Sequence, residues 1–589
     1  MTTRSRSAAG ITFAAVLIAV FATRAGLGHA GGQTPAAAQN APNAPADLVL
    51  RNGRIVTVDD RMPEAQALAA RDGKIVFVGT SADVAKYVGP STQVIDLAGQ
   101  LAIPGLIEGH GHFTGIGENR INLDFMNTKS WDEIVQMVAQ AVEKAKPGQW
   151  IIGRGWHQDK WTSKPEPNVE GFPLHASLDK VSPNNPVVLT HASGHASFVN
   201  EKAMALSGIT KSTPNPAGGE ILKDKDGNPT GLMREQAQNL VRRGAGESPP
   251  TPAEVTARAE RVFMLADEEV ISKGITSFQD AGSSFDTISR YKAMVDAGRM
   301  HVRMWMMVSG ATGQRFMAGL ETAKTIGYGN NMFTVRAIKM YADGALGSRG
   351  AWLLAPYADK PDSTGLPNAG MKSLPDVAKI AADQHMQLCV HAIGDRANRE
   401  VLDVYEAAFT KAGLNGKDLR WRIEHAQHLS AADIPRFGQL GVIASMQAVH
   451  CTSDGSWVPD RIGDQRAEEG AYVWQKLMKS GAIVTNGTDA PVENVDPIPN
   501  YYAAVTRKLP NGKVFYQDQR MSRMEALRAY TLQNAYAAFE EDIKGSLTVG
   551  KLADVTVLTK DITRVPDDEI KSAKVAYTII GGKVVYKAQ

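Results

Sequence analysis

Eight short apolar runs recur along the middle of this 589-residue chain, and amphipathic stretches separate most of them. Such runs are typical of buried strands, and the amphipathic stretches are typical of helices packed on a sheet. The runs lie in "LAIPGLI", "GITSFQDAG", "MHVRMWMMVSG", "VRAIKMYADG", "MQLCVHAIGD", "LRWRIEHAQ", "GVIASMQAVH" and "GAIVTNGTDAP". Eight strand–helix units predict an α/β fold with a TIM-like (β/α)8 barrel. The alternative, an open doubly wound sheet, lacks a glycine-rich phosphate loop after its first strand.

Both ends of the chain carry strand-like segments around tight turns. "LVLRNGRIVTVDD" and "AQALAARDGKIVFVGT" near the start, and "VAYTIIGGKVVY" at the end, place β-branched runs around Asn-Gly, Asp-Gly and Gly-Gly pairs. These patterns predict β-hairpins. We therefore expect a small β-sandwich domain formed by both termini, residues 47–100 and 541–589, and a barrel over residues 101–540.

The first two predicted strands are unusually far apart in the sequence. About 165 residues separate them, far more than a strand–helix loop needs. We expect a long insertion after the first barrel strand, an inserted subdomain at about 115–265. Active sites of such barrels lie at the carboxyl ends of the strands, so an insertion at this end would shape the substrate pocket.

The first thirty residues have the features of a secretory signal. Arg4 and Arg6 precede an apolar core shorter than a membrane span, and small residues precede a cleavage site after Ala30. We expect a signal peptide at 1–30 and a flexible linker at 31–46. This predicts a periplasmic or secreted protein with no stable membrane association after cleavage; an uncleaved membrane anchor is the alternative.

Composition excludes several classes of protein. The formal net charge is +2 and no basic block is present, which argues against a nucleic-acid partner. Cys389 and Cys451 are the only cysteines, so the chain has neither a disulfide framework nor a four-cysteine zinc site.

Residues able to bind metal stand at the ends of five of the eight predicted strands. Four of the 13 histidines are among them. The ends of strands converge in a closed barrel, so these positions would become neighbours. The set comprises His110, His112, Lys339, His391, His425 and Asp489.

Each of these residues also has a structural interpretation. A single histidine on an apolar strand is more often a hydrogen-bonded core residue than a ligand. Lys339 would bury an ammonium group at a cost of several kcal/mol unless it paired with Asp343 or Glu424. Alternatively, its amine has reacted with carbon dioxide to form a carbamate that bridges two cations. Asp489 could cap a helix before Pro491.

Six motifs in order resemble those of the amidohydrolase superfamily. They are "IPGLIEGHGHF", "IKMYADGALGSRGA", "HAIGDRA", "IEHAQ", "GTDAPVE" and "GSLTVGKLADVTVL". With "SGHASFVN" and "PTGLMREQA" in the insertion, they resemble the amidohydrolase family 3 branch of YtcJ-like proteins and N-substituted formamide deformylase. The similarity runs from about Leu48 to the C-terminus. Glu108-Gly109 and His157 depart from the usual family residues and bear on specificity, because neither position binds metal in the family.

The resemblance implies a metal-dependent hydrolase that cleaves a carbon–nitrogen bond in an amide, N-acyl compound, formamide or cyclic amide. One ion would be held by His110, His112 and Asp489, and another by His391 and His425, with carbamylated Lys339 as a bridge. These ligands suit zinc, with iron, manganese or nickel as alternatives. One or two divalent ions would activate a water molecule for attack on the carbonyl carbon. Asp489 would be catalytic, moving the proton of the water to the leaving nitrogen.

The same resemblance implies a small-molecule substrate and leaves a homodimer open. We expect substrate contacts from His195, Asp343 and Arg349. His191, His428 and His450 are close to these motifs in sequence, and the sequence assigns them no role.

Other functions fit parts of the same pattern. A mononuclear, deaminase-type enzyme would use the histidines and Asp489 while Lys339 stays an ordinary amine. An ester or lactone hydrolase would use the same activated water. A non-catalytic binding or regulatory protein on an old enzyme barrel would be expected to have lost a ligand, and here the set is complete.

Overall fold

The computed structural model of the chain describes residues 44–589. The predicted signal peptide at 1–30, and all but the last three residues of the predicted linker, lie outside the described residues. Within residues 44–589, no helix has the length and apolar character needed to span a membrane.

The centre of the molecule is a nearly closed barrel of eight parallel strands. The strands, labelled β1 to β8 in chain order, are Leu106–Gly111, Ile275–Ser283, Arg303–Ser309, Phe333–Tyr341, Gln387–Ala392, Arg422–His425, Ile443–Met446 and Val484–Asn486. Each pairs in parallel with the next one along the chain. All eight predicted strands are present, so the predicted barrel fold is confirmed.

Helices follow the strands and cover them. They include Phe285–Asp296, Gln314–Ala323, Leu374–Asp383, Asp395–Ala412, Ile434–Leu440, Ala448–Asp454, Val458–Ile462, Asp464–Gly470, Trp474–Lys479, Pro497–Thr506, Arg523–Ala529 and Leu532–Ala537. The helix after β5 shows why they form. It buries Val401, Leu402, Tyr405 and Phe409, which share one helical face, and it ends at Gly413 with a left-handed φ of 63°.

Side chains bridge the seam between β1 and β8. The Asn534 side-chain amide donates to the carbonyls of Ile107 at 2.7 Å and Asn486 at 2.8 Å. A Cβ on Gly109 would lie 2.4 Å from the Asn534 side chain, so only glycine fits here. Glu108 accepts a hydrogen bond from the backbone N–H of Thr488. The unusual Glu108-Gly109 pair therefore serves barrel closure.

Both termini build a small β-sandwich. Its four-stranded sheet contains Leu48–Arg51, Ala67–Arg71, Lys74–Gly79 and Gln93–Asp96. Its six-stranded sheet contains Arg54–Val56, Glu64–Ala65, Leu101–Pro104, Val555–Leu558, Val575–Ile580 and Lys583–Lys587. The two sheets share one apolar core, in which Leu48 and Leu68 from one sheet pack with Val557 and Ile579 from the other.

Two local predictions near the N-terminus are wrong. The run "LAIPGLI" is two strands, because Leu101–Pro104 pairs with Val555–Leu558 in the sandwich and the barrel begins only at Leu106. The Asn-Gly pair at 52–53 does not form a hairpin, since the flanking strands belong to different sheets. In both segments the chain passes from one sheet to another. A strand has the same apolar pattern whether or not it pairs with the strand that follows it, so the sequence does not show this change.

The other two predicted hairpins are confirmed. Ala67–Arg71 pairs antiparallel with Lys74–Gly79, and Val575–Ile580 pairs antiparallel with Lys583–Lys587. Their turn residues, which are Asp72-Gly73 and Gly581-Gly582, all have positive φ, as a two-residue hairpin turn requires.

The insertion after β1 is built on a six-stranded sheet. Its strands are Leu123–Asp124, Ile151–Trp156, Val187–His191, Ala196–Val199, Gly219–Lys223 and Pro229–Glu235. The predicted end at residue 265 falls inside the helix Pro252–Ser272, which leads back into β2. Ion pairs tie the insertion to barrel loops, among them Arg461–Asp159 at 3.0 Å and Lys160–Glu493 at 3.2 Å.

Candidate metal centre

The carboxyl ends of the barrel strands bring the predicted ligands together. The Nε2 atoms of His110 and His112 lie 3.5 Å and 3.2 Å from Asp489 Oδ1. One ligand atom each from His110, His425 and Asp489 lie within 4.8 Å of one another. The His391 ring is 4.5 Å from the His425 ring, centroid to centroid. Residues about 380 positions apart in sequence therefore face one small volume.

Two of these ligands have strained backbones. His425 has a φ of 75° and Asp489 a φ of 56°, both in the left-handed region. Such a conformation costs about 1–3 kcal/mol for a residue other than glycine. His425 is the last residue of β6, and Asp489 lies three residues after the end of β8. A left-handed backbone at two predicted ligands that converge is consistent with a functional site.

In His110 and His425, a hydrogen bond to one ring nitrogen determines which nitrogen remains free to bind a metal ion. His110 Nδ1 donates to Glu424 Oε2. His425 Nδ1 donates to Gln447 Oε1 at 2.7 Å. In both rings the proton is thus on Nδ1, and Nε2 carries the lone pair that a metal ion needs.

A buried network beneath the ligands holds Glu424 in place. The Arg422 guanidinium, which is fully buried, donates to both carboxylate oxygens of Glu424. It also donates to Gln279 Oε1 and to Ser445 Oγ. Burial favours the neutral carboxyl, but Arg422 and His110 hold the pKa of Glu424 well below its usual range. Glu424 is therefore a carboxylate that accepts the Nδ1 proton of His110.

The ionisation states suit a divalent cation. Burial, with help from the positive charge of Lys339, lowers the pKa of His110 to about 4. Burial likewise lowers the pKa of His391 and of His425 well below the usual value. Burial opposes ionisation of Asp489, but His112 and the other imidazoles hold its pKa well below the usual range. Near neutral pH the site offers the neutral imidazoles of His110, His391 and His425 and the carboxylate of Asp489, which are the forms that bind metal.

Lys339 is buried beside the imidazoles without a protein partner. Among the described residues its Nζ has no hydrogen-bond acceptor, and it lies 4.7 Å from the centre of the Tyr341 ring. The structural alternative does not hold, because Glu424 is taken by Arg422 and His110. Asp343 instead accepts three backbone N–H groups, from Trp352, Ile393 and Gly394.

The unmatched polar atoms fit a metal site. In the described part of the chain, buried atoms with no hydrogen-bond partner include His110 Nε2, His391 Nε2, Asp489 Oδ1 and Lys339 Nζ. A buried polar atom without a partner costs about 1–3 kcal/mol, so a cluster of them at one point calls for a ligand. Nitrogen and oxygen atoms in this arrangement match the donor set of zinc.

His195 is the predicted substrate contact that reaches the site. Its ring lies 4.9 Å from the ring of His391, on a loop of the insertion. Nδ1 donates to Glu235 Oε2 at 2.9 Å. Burial alone would lower the pKa of His195, but the charge of Glu235 raises it above the usual value. His195 can therefore act as a proton donor beside the ligands.

Asp343 and Arg349 do not line the cavity above the ligands. Asp343 fixes the loops after β4 and β5 through its three backbone contacts. Arg349 pairs with Asp359 at 2.9 Å, and Asp359 also pairs with Arg461 at 2.6 Å. Arg349 therefore supports the loops around the cavity. Asp343 does so too, and its Oδ1 also lies 3.5 Å from His391 Nε2.

Several residues that line the cavity could not be assigned to it from the sequence. The cavity lies between the insertion and the strand-end loops, and its lining includes His157, Lys160, His191, His450, Trp457 and Glu493. The sequence singles out His157, as a departure from the usual family residue, and His191 and His450, as histidines close to the motifs, without assigning them a role. His450 lies in the helix Ala448–Asp454 and Trp457 in the turn after it, and only the three-dimensional arrangement places them here. His428 lies outside this cavity.

Known proteins resemble this chain over most of its length. The model of the amidohydrolase family matches residues 93–586. Protein LONG AFTER FAR-RED 3 of Arabidopsis thaliana is 33% identical, covering 92% of each chain. YtcJ of Bacillus subtilis is 30% identical over 92% of this chain and 99% of its own. N-substituted formamide deformylase of Arthrobacter pascens is 27% identical over 92% and 98%.

A solved structure shares the fold. An uncharacterized metal-dependent hydrolase from Pyrococcus horikoshii superimposes with a TM-score of 0.68 at 26% identity, covering 88% of this chain and 99% of its own.

Proposed function

Because this chain belongs to the amidohydrolase family, whose relatives include a hydrolase of carbon–nitrogen bonds, we propose that it hydrolyses the carbon–nitrogen bond of a small N-acyl compound, such as an N-substituted formamide or a cyclic amide. The observation that carries this proposal is the convergence of His110, His425 and Asp489 within 4.8 Å at the mouth of the barrel. This donor set would hold a divalent ion, with zinc as the best match.

The residues around this centre divide the work of hydrolysis. A bound divalent ion would polarise the substrate carbonyl and lower the pKa of water. Asp489 Oδ1, which faces both His110 and His112, would accept the proton of the attacking water and deliver it to the leaving nitrogen. His195, protonated through its contact with Glu235, would donate to the carbonyl oxygen as negative charge develops there.

We propose in addition that Lys339 carries a carbamate and that the site holds two ions. In this reaction the ammonium first loses a proton, the Nζ lone pair then attacks the carbon of carbon dioxide, and Nζ loses a second proton. A buried cation thus becomes an anion and two protons are released. Support comes from Nζ, which is buried beside the imidazoles with no partner among residues 44–589. Lys339 and His391 would then complete a second ion position next to His425.

Metal analysis and a substrate screen test the proposed hydrolysis. The chain would be purified, its metal measured, and N-acyl compounds, formamides, cyclic amides, esters and lactones tested with zinc present. We expect about two ions per chain and turnover of the carbon–nitrogen compounds. One ion per chain would support the mononuclear alternative, and turnover confined to esters and lactones would contradict the proposed bond class.

Isotopic labelling tests the carbamate separately. Enzyme prepared with carbon-labelled bicarbonate should show a carbamate signal that is lost in Lys339→Ala, and short carboxylic acids should restore part of the activity of this variant. Lys544 is the matched control, because it is also buried but pairs with Glu540. The signal should persist in Lys544→Ala. Its absence from wild-type enzyme with two ions bound would disprove the bridge.

We also propose that the chain is exported and matures by cleavage after Ala30, on the basis of Arg4, Arg6 and the apolar segment that follows. The mass of the protein recovered from the periplasm or medium tests this. A membrane-bound chain that retains residues 1–30 would favour the anchor instead.

A further inference from the structure

Two buried side chains that line the cavity, His450 and Trp457, each have a ring nitrogen with no hydrogen-bond partner among residues 44–589. Resting on the proposed function, we propose that His450 and Trp457 form a donor subsite. This subsite binds a neutral carbonyl oxygen of the substrate, distinct from the carbonyl that is attacked. The preferred substrates would therefore be amides with a second, uncharged carbonyl group.

His450 presents a nitrogen to the cavity. Its Nδ1 accepts a hydrogen bond from the side-chain amide of Gln427 at 3.0 Å, which places the ring proton on Nε2. Nε2 is buried and has no partner in the described part of the protein. The ring is inclined by 28° to that of His425, with centroids 6.3 Å apart, so His450 lies beside a predicted ligand.

Trp457 supplies the second donor. Its side chain is buried, and the indole N–H has no acceptor among the described residues. The indole ring lies 5.8 Å from the ring of His157, which lines the same cavity. An indole N–H can only donate, so its natural partner is an oxygen of the ligand.

The charges nearby favour an uncharged acceptor. Asp454 and Glu493 line the same cavity, and the one lysine there, Lys160, already pairs with Glu493 at 3.2 Å. Two other nearby cations are also paired, since His195 contacts Glu235, and Arg461, 5.5 Å from the Trp457 ring, contacts Asp159 and Asp359. Asp454 accepts from the Tyr472 hydroxyl at 2.7 Å. A substrate carboxylate would face Asp454 and Glu493, whereas an amide carbonyl would accept from both donors without repulsion.

Three probes with the same formyl carbon–nitrogen bond test the subsite. N-formylglycinamide carries a neutral carbonyl, N-formylglycine a carboxylate, and N-formylpropylamine an alkyl chain of the same length. For zinc-loaded wild-type enzyme we expect kcat/KM to be about tenfold higher for the glycinamide than for the propylamine, and lowest for N-formylglycine.

The variants Trp457→Phe and His450→Phe remove one donor each and keep a ring in place. Each should reduce the preference for the glycinamide over the propylamine by about three- to tenfold, through KM more than kcat. His450→Gln, which can still donate, should keep part of the preference. The ratio of two substrates is insensitive to general damage, because damage slows both.

Trp474→Phe is the matched control for the tryptophan. Its indole N–H also lacks a partner among residues 44–589, but the side chain packs against Arg507 away from the cavity. The ratio should not change in this variant. Equal losses on both probes in the two test variants, or no preference in active wild-type enzyme, would overturn the subsite alone. Zinc-loaded enzyme that hydrolyses no probe and no compound of the screen would overturn the proposed function and the subsite with it.

Discussion

Two polar layers lie one above the other inside the same barrel, and they differ in how their hydrogen bonds are satisfied. The closed layer consists of Gln279, Arg422, Glu424 and Ser445. The open layer consists of the proposed ligands His110, Lys339, His391, His425 and Asp489. In the closed layer, Arg422 meets acceptors on three neighbouring side chains. In the open layer, four residues have a buried atom without a partner in the described structure.

This difference in hydrogen bonding indicates that the open layer, rather than the closed one, binds a ligand. A satisfied polar network fixes a single geometry, and the closed layer passes this rigidity to the open layer through the Glu424–His110 contact. The open layer holds unmatched atoms and two left-handed residues, His425 and Asp489, at a cost to folding. A metal ion that binds these atoms would recover part of this cost, so metal binding and stability should be coupled.

Breaking the open layer should have the largest effect. Asp489→Asn removes the carboxylate that faces His110 and His112 and keeps the size of the side chain. We expect kcat/KM on the best substrate of the screen to fall by about 10³-fold or more, since both metal binding and proton transfer would be lost. Steady-state kinetics and metal analysis measure this.

The fold of the Asp489→Asn variant can be checked independently of its activity. Its circular dichroism spectrum should match that of the wild type, because Asn keeps the size of the side chain, so a loss of activity would not reflect unfolding. Full activity in Asp489→Asn would remove its assigned role.

The sequence was sufficient to predict the open layer but not the closed one. His110, His391, His425 and Asp489 stand at the ends of apolar runs, and a closed barrel must bring such ends together. Nothing in the sequence shows that Arg422 reaches Gln279, because that contact joins β6 to β2 across the barrel interior.

The segments that pass between the sheets of the sandwich, and the residues that line the cavity, could not be predicted from the sequence for the same reason. The strands on either side of Asn52-Gly53 have the pattern of a hairpin, and only packing between sheets decides that they separate. His450 lies in the short helix Ala448–Asp454 and Trp457 in the turn after it, and the cavity they line is shared with residues of the insertion that are far away in sequence. Periodicity in sequence reports burial, whereas these features depend on which buried neighbours meet.

Breaking the closed layer should cost stability before activity. Arg422→Met leaves the Glu424 carboxylate buried without its cation. We expect a loss of about 3–5 kcal/mol in the free energy of unfolding at neutral pH, measured by urea denaturation. The double variant Arg422→Met with Glu424→Gln is the control, and it should recover part of this loss because no buried charge remains. A double variant as unstable as the single one would show that packing, rather than charge, explains the effect.

Weakening the contact between Glu424 and His110, which links the two layers, should have the smallest effect on function. It also distinguishes the effect of the charge of the acceptor from the effect of ring orientation. His110 donates Nδ1–H to the Glu424 carboxylate, whereas His425 donates Nδ1–H to the neutral amide of Gln447. A charged acceptor makes the imidazole a stronger ligand, so Glu424→Gln should weaken zinc affinity by about 10–100-fold. Because this change also leaves Arg422 without its carboxylate, the double variant Arg422→Met with Glu424→Gln should show the same weakening. Gln447→Leu removes a neutral hydrogen bond and should weaken zinc affinity by about three- to tenfold. Competition with a chelator measures these affinities, independently of turnover. If Gln447→Leu weakened zinc binding more than Glu424→Gln, orientation of the rings rather than the charge of Glu424 would control the site, and the closed layer would serve only to hold the barrel together.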